Sequence, residues 1–375
     1  MAGIYIHIPF CSQRCHYCDF HFSTRLQDKA EMLQALLKEM ELQAQSSYLE
    51  ETIQTVYFGG GTPGLLNGKE IELLLKQLQR FWHISPLAEI TLEANPENLS
   101  LQNCMDWKTA GINRLSVGIQ SIFDDELRWM NRSHDATLAK DSVANMNQAG
   151  YENFTVDFIY GGPLLTDERW EQTLTWIFQQ PIHHLSCYAL TVEPNTPLDN
   201  RIRNQRYEPV DPERAARQFE RLMDATADNG WEHYEISNWA KNGFRSKHNS
   251  NYWNGTPYLG IGPSAHSFNG KSRQWNIADN KKYMQEIQKG MLPFRKEVLT
   301  TSQQINESIM TQLRLLEGCN LNKIEISFGG DIKSKILVRA QKHIQHQLLY
   351  FENNHLILTR KGKLFADGIA ADLFL

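Results

Sequence analysis

Three cysteines crowd into a short stretch near the start of the chain, Cys11-Ser-Gln-Arg-Cys15-His-Tyr-Cys18. Three thiolates on one loop can hold three irons of a four-iron cluster and leave the fourth iron without a protein ligand. Such an open iron can chelate the amino and carboxylate groups of S-adenosylmethionine and pass one electron into its sulfonium. A structural zinc site is the competing reading, with His16 or His21 as fourth ligand. Zinc sites usually take ligands from two loops, however, and Cys104, Cys187 and Cys319 are isolated singles that read as small buried hydrophobes.

A second group of residues sits where short apolar runs end. Gly59-Gly60-Gly61-Thr62-Pro63-Gly64 spells G-x-G-x-x-G after a strand, but a dinucleotide site wants an acidic residue about 20 positions on, and Glu93 is too far along. Gly68-Lys69-Glu70 lacks the Ser or Thr that a phosphate loop needs after its lysine. Glu93 closes the apolar run Ile90-Thr-Leu-Glu93, where a carboxylate has to be solvated or paired. Gln120, Asp157 and Gly161-Gly162-Pro163 fall at or just past comparable ends.

The elements that must position these residues alternate along the chain. Strands are expected at 4–8, 53–58, 89–94, 114–119, 154–160 and 184–190. Helices are expected at 29–49, 69–81, 102–110, up to 148, 168–178 and 212–229, the first on apolar residues Met32, Leu33, Leu36, Leu37 and Met40 at a 3.6-residue spacing. Parallel neighbours need a crossover, so six strand-helix units predict an α/β fold, an incomplete TIM-like (β/α)6 barrel with its chemistry at the carboxyl rim. From 231 to 275 the pattern loosens into aromatic and glycine-rich sequence. Beyond 290 it reads as helices at 302–316, 321–326, 334–347 and 361–373, with a hairpin at 348–351 and 355–358 around Asn353-Asn354. The expected division is therefore 1–290 for the barrel and its extension, and 291–375 for a helical, winged-helix-like domain.

Composition bounds the function classes. Hydrophobic residues at 41% allow a sizeable core, and 43 acidic against 38 basic residues argue against a broad nucleic-acid surface. No run of 18 apolar residues and no signal peptide is legible, so the cytoplasm is the simplest home, with peripheral attachment at the inner face of a membrane left open.

The spacing C-x3-C-x2-C directly after Ile4-Tyr5-Ile6-His7-Ile8-Pro9-Phe10 resembles the radical S-adenosylmethionine superfamily. More narrowly, the chain is similar to the oxygen-independent coproporphyrinogen III oxidase group and its heme-chaperone branch, the HemW type. Its motifs run from Tyr5 to Trp253, with a weaker match over 358–374. The resemblance implies a [4Fe-4S] cluster on Cys11, Cys15 and Cys18. It implies that Gly60, Gly61 and Thr62 offer backbone atoms to the cofactor's amino group, which a glycine without Cβ permits. By the same carry-over Glu93 pairs with the cofactor, Gln120 and Asp157 bond near its ribose, Arg132 faces its carboxylate, and Tyr5 lines the cluster side. Phe20 stands in the loop where the oxidases carry one more cysteine and counts among the cofactor-binding positions. No catalytic residue is assigned.

Two features separate the branches. The oxidases begin with an arm that completes the substrate pocket, whereas here the cluster motif starts at residue 11. Lys247-His248-Asn249-Ser250-Asn251-Tyr252-Trp253 matches the H-N-x-x-Y-W motif of the chaperone branch. An imidazole can ligate heme iron, and Tyr252 and Trp253 offer flat faces to a porphyrin; the same residues could also be a core histidine with two packing aromatics. The implied function is a heme chaperone that delivers heme to heme-requiring proteins, with coproporphyrinogen oxidation as the alternative. The implied partners are a reductant for the cluster, acceptor proteins and a second copy of the chain, with no nucleic acid.

Overall fold

A computed structural model describes residues 2–45, 49 and 51–375. Strands β1 (Ala2–Ile8), β2 (Ile53–Gly60), β3 (Ile84–Ala94), β4 (Arg114–Gln120), β5 (Phe154–Tyr160) and β6 (His184–Ala189) run parallel side by side. Between them lie α1 (Lys29–Ala44), α2 (Gly68–Phe81), α3 (Leu101–Ala110), α4 (Asp124–Trp129), α5 (Ala136–Gln148) and α6 (Asp167–Gln179). Their starts follow from capping chemistry: Asn67 and Glu70 form a reciprocal capping box on α2, and Asp135 and Thr166 cap α5 and α6. Helix α1 stops at Ala44, short of the expected 49; Leu49 is outside the helix, and 46–48 and 50 lie outside the described residues.

Residue alternation in the strands tells which face is which. In β1 Ile4, Ile6 and Ile8 join the core packed under the helices, whereas Tyr5 and His7 point to the barrel's interior. The same holds for Val56 and Phe58 against Tyr57, and for Leu92 against Glu93. Parallel strands buried on both faces are ordinarily apolar throughout. Here one face is polar, because the interior is built for polar groups.

The stretch from 190 to 298 is more ordered than its sequence suggests. It holds α7 (Pro197–Arg203), α8 (Pro212–Asp228), β7 (Glu232–Glu235), β8 (Asn238–Ala240), α9 (Lys247–Trp253), β9 (Tyr258–Ile261), β10 (His266–Phe268), β11 (Ser272–Asn276), α10 (Asn280–Gln288) and β12 (Phe294–Val298). β9 pairs parallel with β1, adding a seventh parallel strand, and the sheet order is β12-β11-β10-β9-β1-β2-β3-β4-β5-β6-β8-β7. The sheet does not close on itself, so the barrel is partial. β12 pairs with β11 and lies past the boundary expected at 290, while a separate apolar cluster begins at Ile305.

That cluster is the core of α11 (Thr301–Leu313), β13 (Cys319–Asn320), α12 (Leu321–Phe328), α13 (Gly330–Gln345), β14 (Leu349–Glu352), β15 (His355–Leu358), α14 (Arg360–Lys363) and α15 (Ala366–Leu373). Helices with a small β13-β15-β14 sheet make the winged-helix-like unit. The helix expected at 361–373 is two helices, broken around Leu364 and Phe365. Arg314 joins the unit to the barrel, donating to buried Glu235 at 2.9 Å. Among the described residues no helix is long and apolar enough to cross a membrane.

Candidate functional site

A cavity of about 430 Å³ opens at the carboxyl ends of β2 to β6. Cys11, Cys15, Cys18, Phe20, Gly60, Gly61, Thr62, Glu93, Gln120, Arg132 and Asp157 all line it. Residues far apart in sequence, from Cys11 to Asp157, therefore share one cleft.

The cysteine loop is fastened at both sides. Gly61 N–H donates to Ile8 O at 2.9 Å and Thr62 N–H to Phe10 O at 2.6 Å, tying the glycine turn to the strand that leads into the loop. A Cβ on Gly61 would lie 2.5 Å from the Phe10 carbonyl oxygen, so only glycine fits there. On the other side Arg132 donates from Nη1 to Cys15 Sγ at 3.3 Å and from Nη2 to Asn95 Oδ1 and Gly118 O, both at 2.7 Å. Thr62 donates to Cys11 Sγ at 3.5 Å. Burial pushes the Cys11 thiol up to about 12, and burial raises Cys18 as well. Ligation requires thiolates, so a cationic centre must compensate that burial.

The donor set fits a cluster better than one zinc ion. Neither candidate for a fourth zinc ligand lines the cavity: His16 is tied through Nδ1 to Trp129 O at 2.7 Å, and His21 through Nε2 to Asn280 Oδ1 at 2.7 Å. Cys104, Cys187 and Cys319 are buried away from the loop, as their isolation in sequence suggested.

Glu93 is held by two donors, the Tyr57 hydroxyl on Oε1 at 2.8 Å and Gly60 N–H on Oε2 at 3.2 Å. Burial pushes its carboxyl up to about 7; the Tyr57 bond opposes the shift, and the charge of Asp157 adds to it. Asp157, pushed up to about 6 by burial, accepts from Ser116 at 3.4 Å. Gln120 has φ 67, in the left-handed region that favours glycine, and sits where the β4-β5 register shifts. An extra residue in a strand re-aims its side chain, and this one is aimed into the cleft.

Gly60 lines the cleft, with its N–H on Glu93. Arg132, expected to face the cofactor's carboxylate, lines the cleft and points Nη1 at a cysteine of the loop. Tyr5 does not line the cavity: its hydroxyl meets His7 Nδ1 at 3.2 Å and its ring stacks on Tyr57 with centroids 6.1 Å apart. The aromatic reaching Glu93 is Tyr57, one strand over. Sequence reasoning missed Tyr57, Asn95, Tyr17 and Tyr188; the polar residue inside β2's apolar run was the available signal for Tyr57.

The His248 motif is α9, and it lies at the opposite end of the barrel. His248 is 1% exposed, beside Gly3 and Thr55 at the amino-terminal halves of β1 and β2. Its Nδ1 meets Thr55 Oγ1 at 2.8 Å and its Nε2 the Tyr252 hydroxyl at 2.9 Å. Burial, then Arg114's charge, lowers the imidazole to about 3, so it is neutral with both nitrogens engaged. It offers no free lone pair to a metal in this arrangement. Tyr252 and Trp253 are half-buried, Trp253 under the Arg314 guanidinium at 5.0 Å. The motif is here a plug, fastened by barrel and winged-helix-like unit alike.

Residues 5–177 match the family model for the radical SAM superfamily and residues 299–365 that for the HemN C-terminal domain. The chain is 32% identical to the heme chaperone HemW of Bacillus subtilis over 98% of both chains, and 31% identical to that of Haemophilus influenzae over 100% of this chain and 97% of the other. A mitochondrial radical S-adenosyl methionine domain-containing protein 1 from Danio rerio is 31% identical over 100% and 87%. The coproporphyrinogen III oxidase HemN of Escherichia coli superposes with a TM-score of 0.85 at 23% identity, covering 100% of this chain and 90% of that one, a likeness of fold. The cysteine cleft at the carboxyl rim of a partial barrel and the full-length kinship agree: the chain belongs to the radical SAM superfamily and, within it, to the HemW heme chaperone family.

Proposed function

We propose that this chain binds heme and hands it to heme-requiring proteins while carrying a [4Fe-4S] cluster and S-adenosylmethionine in the rim cleft. The observation that carries the cofactor half is the convergence of three cysteines, Glu93, Gln120, Arg132 and Asp157 on one cavity. The heme half rests on the kinship with proteins named heme chaperones.

Cys11, Cys15 and Cys18 would hold the cluster, and Arg132 would neutralise part of the thiolate charge at Cys15. Glu93 would accept from the cofactor's amino group, with Tyr57 and Gly60 fixing the carboxylate. Gln120 and Asp157 would meet the ribose side. When bound, the cluster and its sulfonium partner supply one-electron chemistry. That requires a reductant and a reducing compartment such as the cytoplasm. Heme contact through His248, Tyr252 and Trp253 carries one condition: the bonds to Thr55 and Tyr252 must break, so ligation goes with withdrawal of α9 from the barrel.

The test is anaerobic reconstitution of wild type and of a triple Cys→Ser variant, followed by heme titration and a coproporphyrinogen III assay. The expected result is about four irons per wild-type chain, absorbance near roughly 400 nm, none of either in the variant, heme binding, and no decarboxylation. Robust decarboxylation would reverse the assignment in favour of the oxidase, and zinc in place of iron would remove the radical reading.

A further inference from the structure

Tyr57 touches two things that lie at opposite ends of the barrel. Its hydroxyl donates to Glu93 Oε1 at 2.8 Å, on the cleft side. Its ring stacks on the His248 imidazole, with centroids 4.9 Å apart and planes at 22°. It is also braced laterally by the Tyr5 ring, and Gly59 leaves room for both: a Cβ there would lie 2.7 Å from Tyr5 and 3.0 Å from Tyr57. A side chain so confined cannot move its hydroxyl without moving its ring face.

We propose that Tyr57 is a positioning residue that couples an N–H donor ligand at Glu93 to the seating of α9 in the amino-terminal mouth of the barrel. The proposal rests on the reading that Glu93 accepts from the cofactor's amino group. The direction follows from charge. A buried carboxyl near its midpoint at neutral pH is partly protonated, and an N–H donated to it by the docked cofactor's amino group favours the carboxylate. A phenol donating to an ionised acceptor makes a shorter, stronger bond than one donating to a neutral carboxyl. Ligand binding therefore tightens Tyr57, and with it the face against which His248 packs. By reciprocity, drawing α9 out weakens the ligand at Glu93. The helix is otherwise held by groups that make no hydrogen bond to Glu93: Thr55 and Tyr252 on the imidazole, Glu89 accepting from Lys247 N–H at 3.1 Å and His248 N–H at 3.0 Å, and Arg314 over Trp253. Among the described hydrogen bonds and ring contacts, Tyr57 is thus the side chain that touches both Glu93 and α9.

The experiment is hydrogen exchange of residues 247–253 in the full, reconstituted, unreduced chain with and without saturating S-adenosylmethionine, for wild type, Tyr57→Phe and Glu93→Gln, alongside the cofactor Kd of each. Tyr57→Phe keeps the ring, and equal melting of the ligand-free proteins checks the fold. The expected result is that the cofactor slows exchange in α9 by about fivefold or more in wild type, and that Tyr57→Phe, which binds more weakly for want of its bond to Glu93, loses this protection even when saturated according to its own Kd. Glu93→Gln is expected to bind weakly. If Glu93→Gln binds as wild type does, the reading of Glu93 is wrong and the coupling falls with it. If Glu93→Gln binds weakly while Tyr57→Phe transmits undiminished protection, or wild-type α9 does not respond, the coupling alone is overturned.

Discussion

The guanidinium of Arg132 donates to the sulfur of Cys15 at 3.3 Å across 117 residues of sequence, and two oxygens, Asn95 Oδ1 and Gly118 O, hold it there. A buried cation at a thiolate stabilises added negative charge, and hydrogen bonds to sulfur help set the potential of an iron-sulfur cluster.

Arg132→Met should therefore lower the midpoint potential of the reconstituted cluster by roughly 60 mV, the one-electron equivalent of a tenfold change. Redox titration followed by visible absorbance and electron paramagnetic resonance reads it. An unchanged potential would assign Arg132 to the cofactor's carboxylate instead.

Glu93 gives the cleft a pH dependence. Its carboxyl is raised by burial to about 7, so it is protonated below that value and ionised above. An amino N–H donor needs the ionised form as its acceptor, so affinity should be full above about pH 7 and fall by about tenfold for each further pH unit below it. Titration calorimetry of wild type and Glu93→Gln between about pH 5.5 and about 8 checks this; the variant should bind weakly with a flat profile.

Gly61→Ala places a methyl 2.5 Å from the Phe10 carbonyl oxygen, backbone that cannot swing aside. The cost is about 1–3 kcal/mol, as for other overpacking. Because the strain falls on the link between glycine turn and cysteine loop, iron retention should drop along with the melting temperature. A variant that melts lower yet keeps its full iron content would separate the turn from the cluster.

His248→Ala leaves the Thr55 hydroxyl without its imidazole partner and opens a hole in the barrel's mouth. A loss of about 2–4 kcal/mol is expected in denaturant unfolding. The absorbance of the heme complex should also shift if iron reaches His248 by withdrawal of α9. A wild-type heme spectrum in the variant would place the axial ligand elsewhere.

Local pattern carried much of this architecture. The alternation Ile-Tyr-Ile-His-Ile marked β1, β5 was legible to its last residue, and Cys11-x3-Cys15-x2-Cys18 announced its own chemistry. Strand ends named Glu93, Gln120 and Asp157, because a polar residue closing an apolar run must reach water or a partner, and the strand's end is where either is within reach. The short strands between 232 and 276 escaped because three to five residues carry too little periodicity to stand out.

By itself the sequence determined which residues face the helices, which end at the carboxyl rim, and that three sulfurs share one loop, since all of these depend on spacing of a few residues. Only the tertiary structure decided that Arg132 meets Cys15, that Tyr57 and not Tyr5 reaches Glu93, and that His248 closes the far mouth with both nitrogens engaged. Those contacts join residues brought together by the parallel pairing of neighbouring strands and the return of α9 beneath them, and no local spacing encodes the partner of a side chain that points into a barrel.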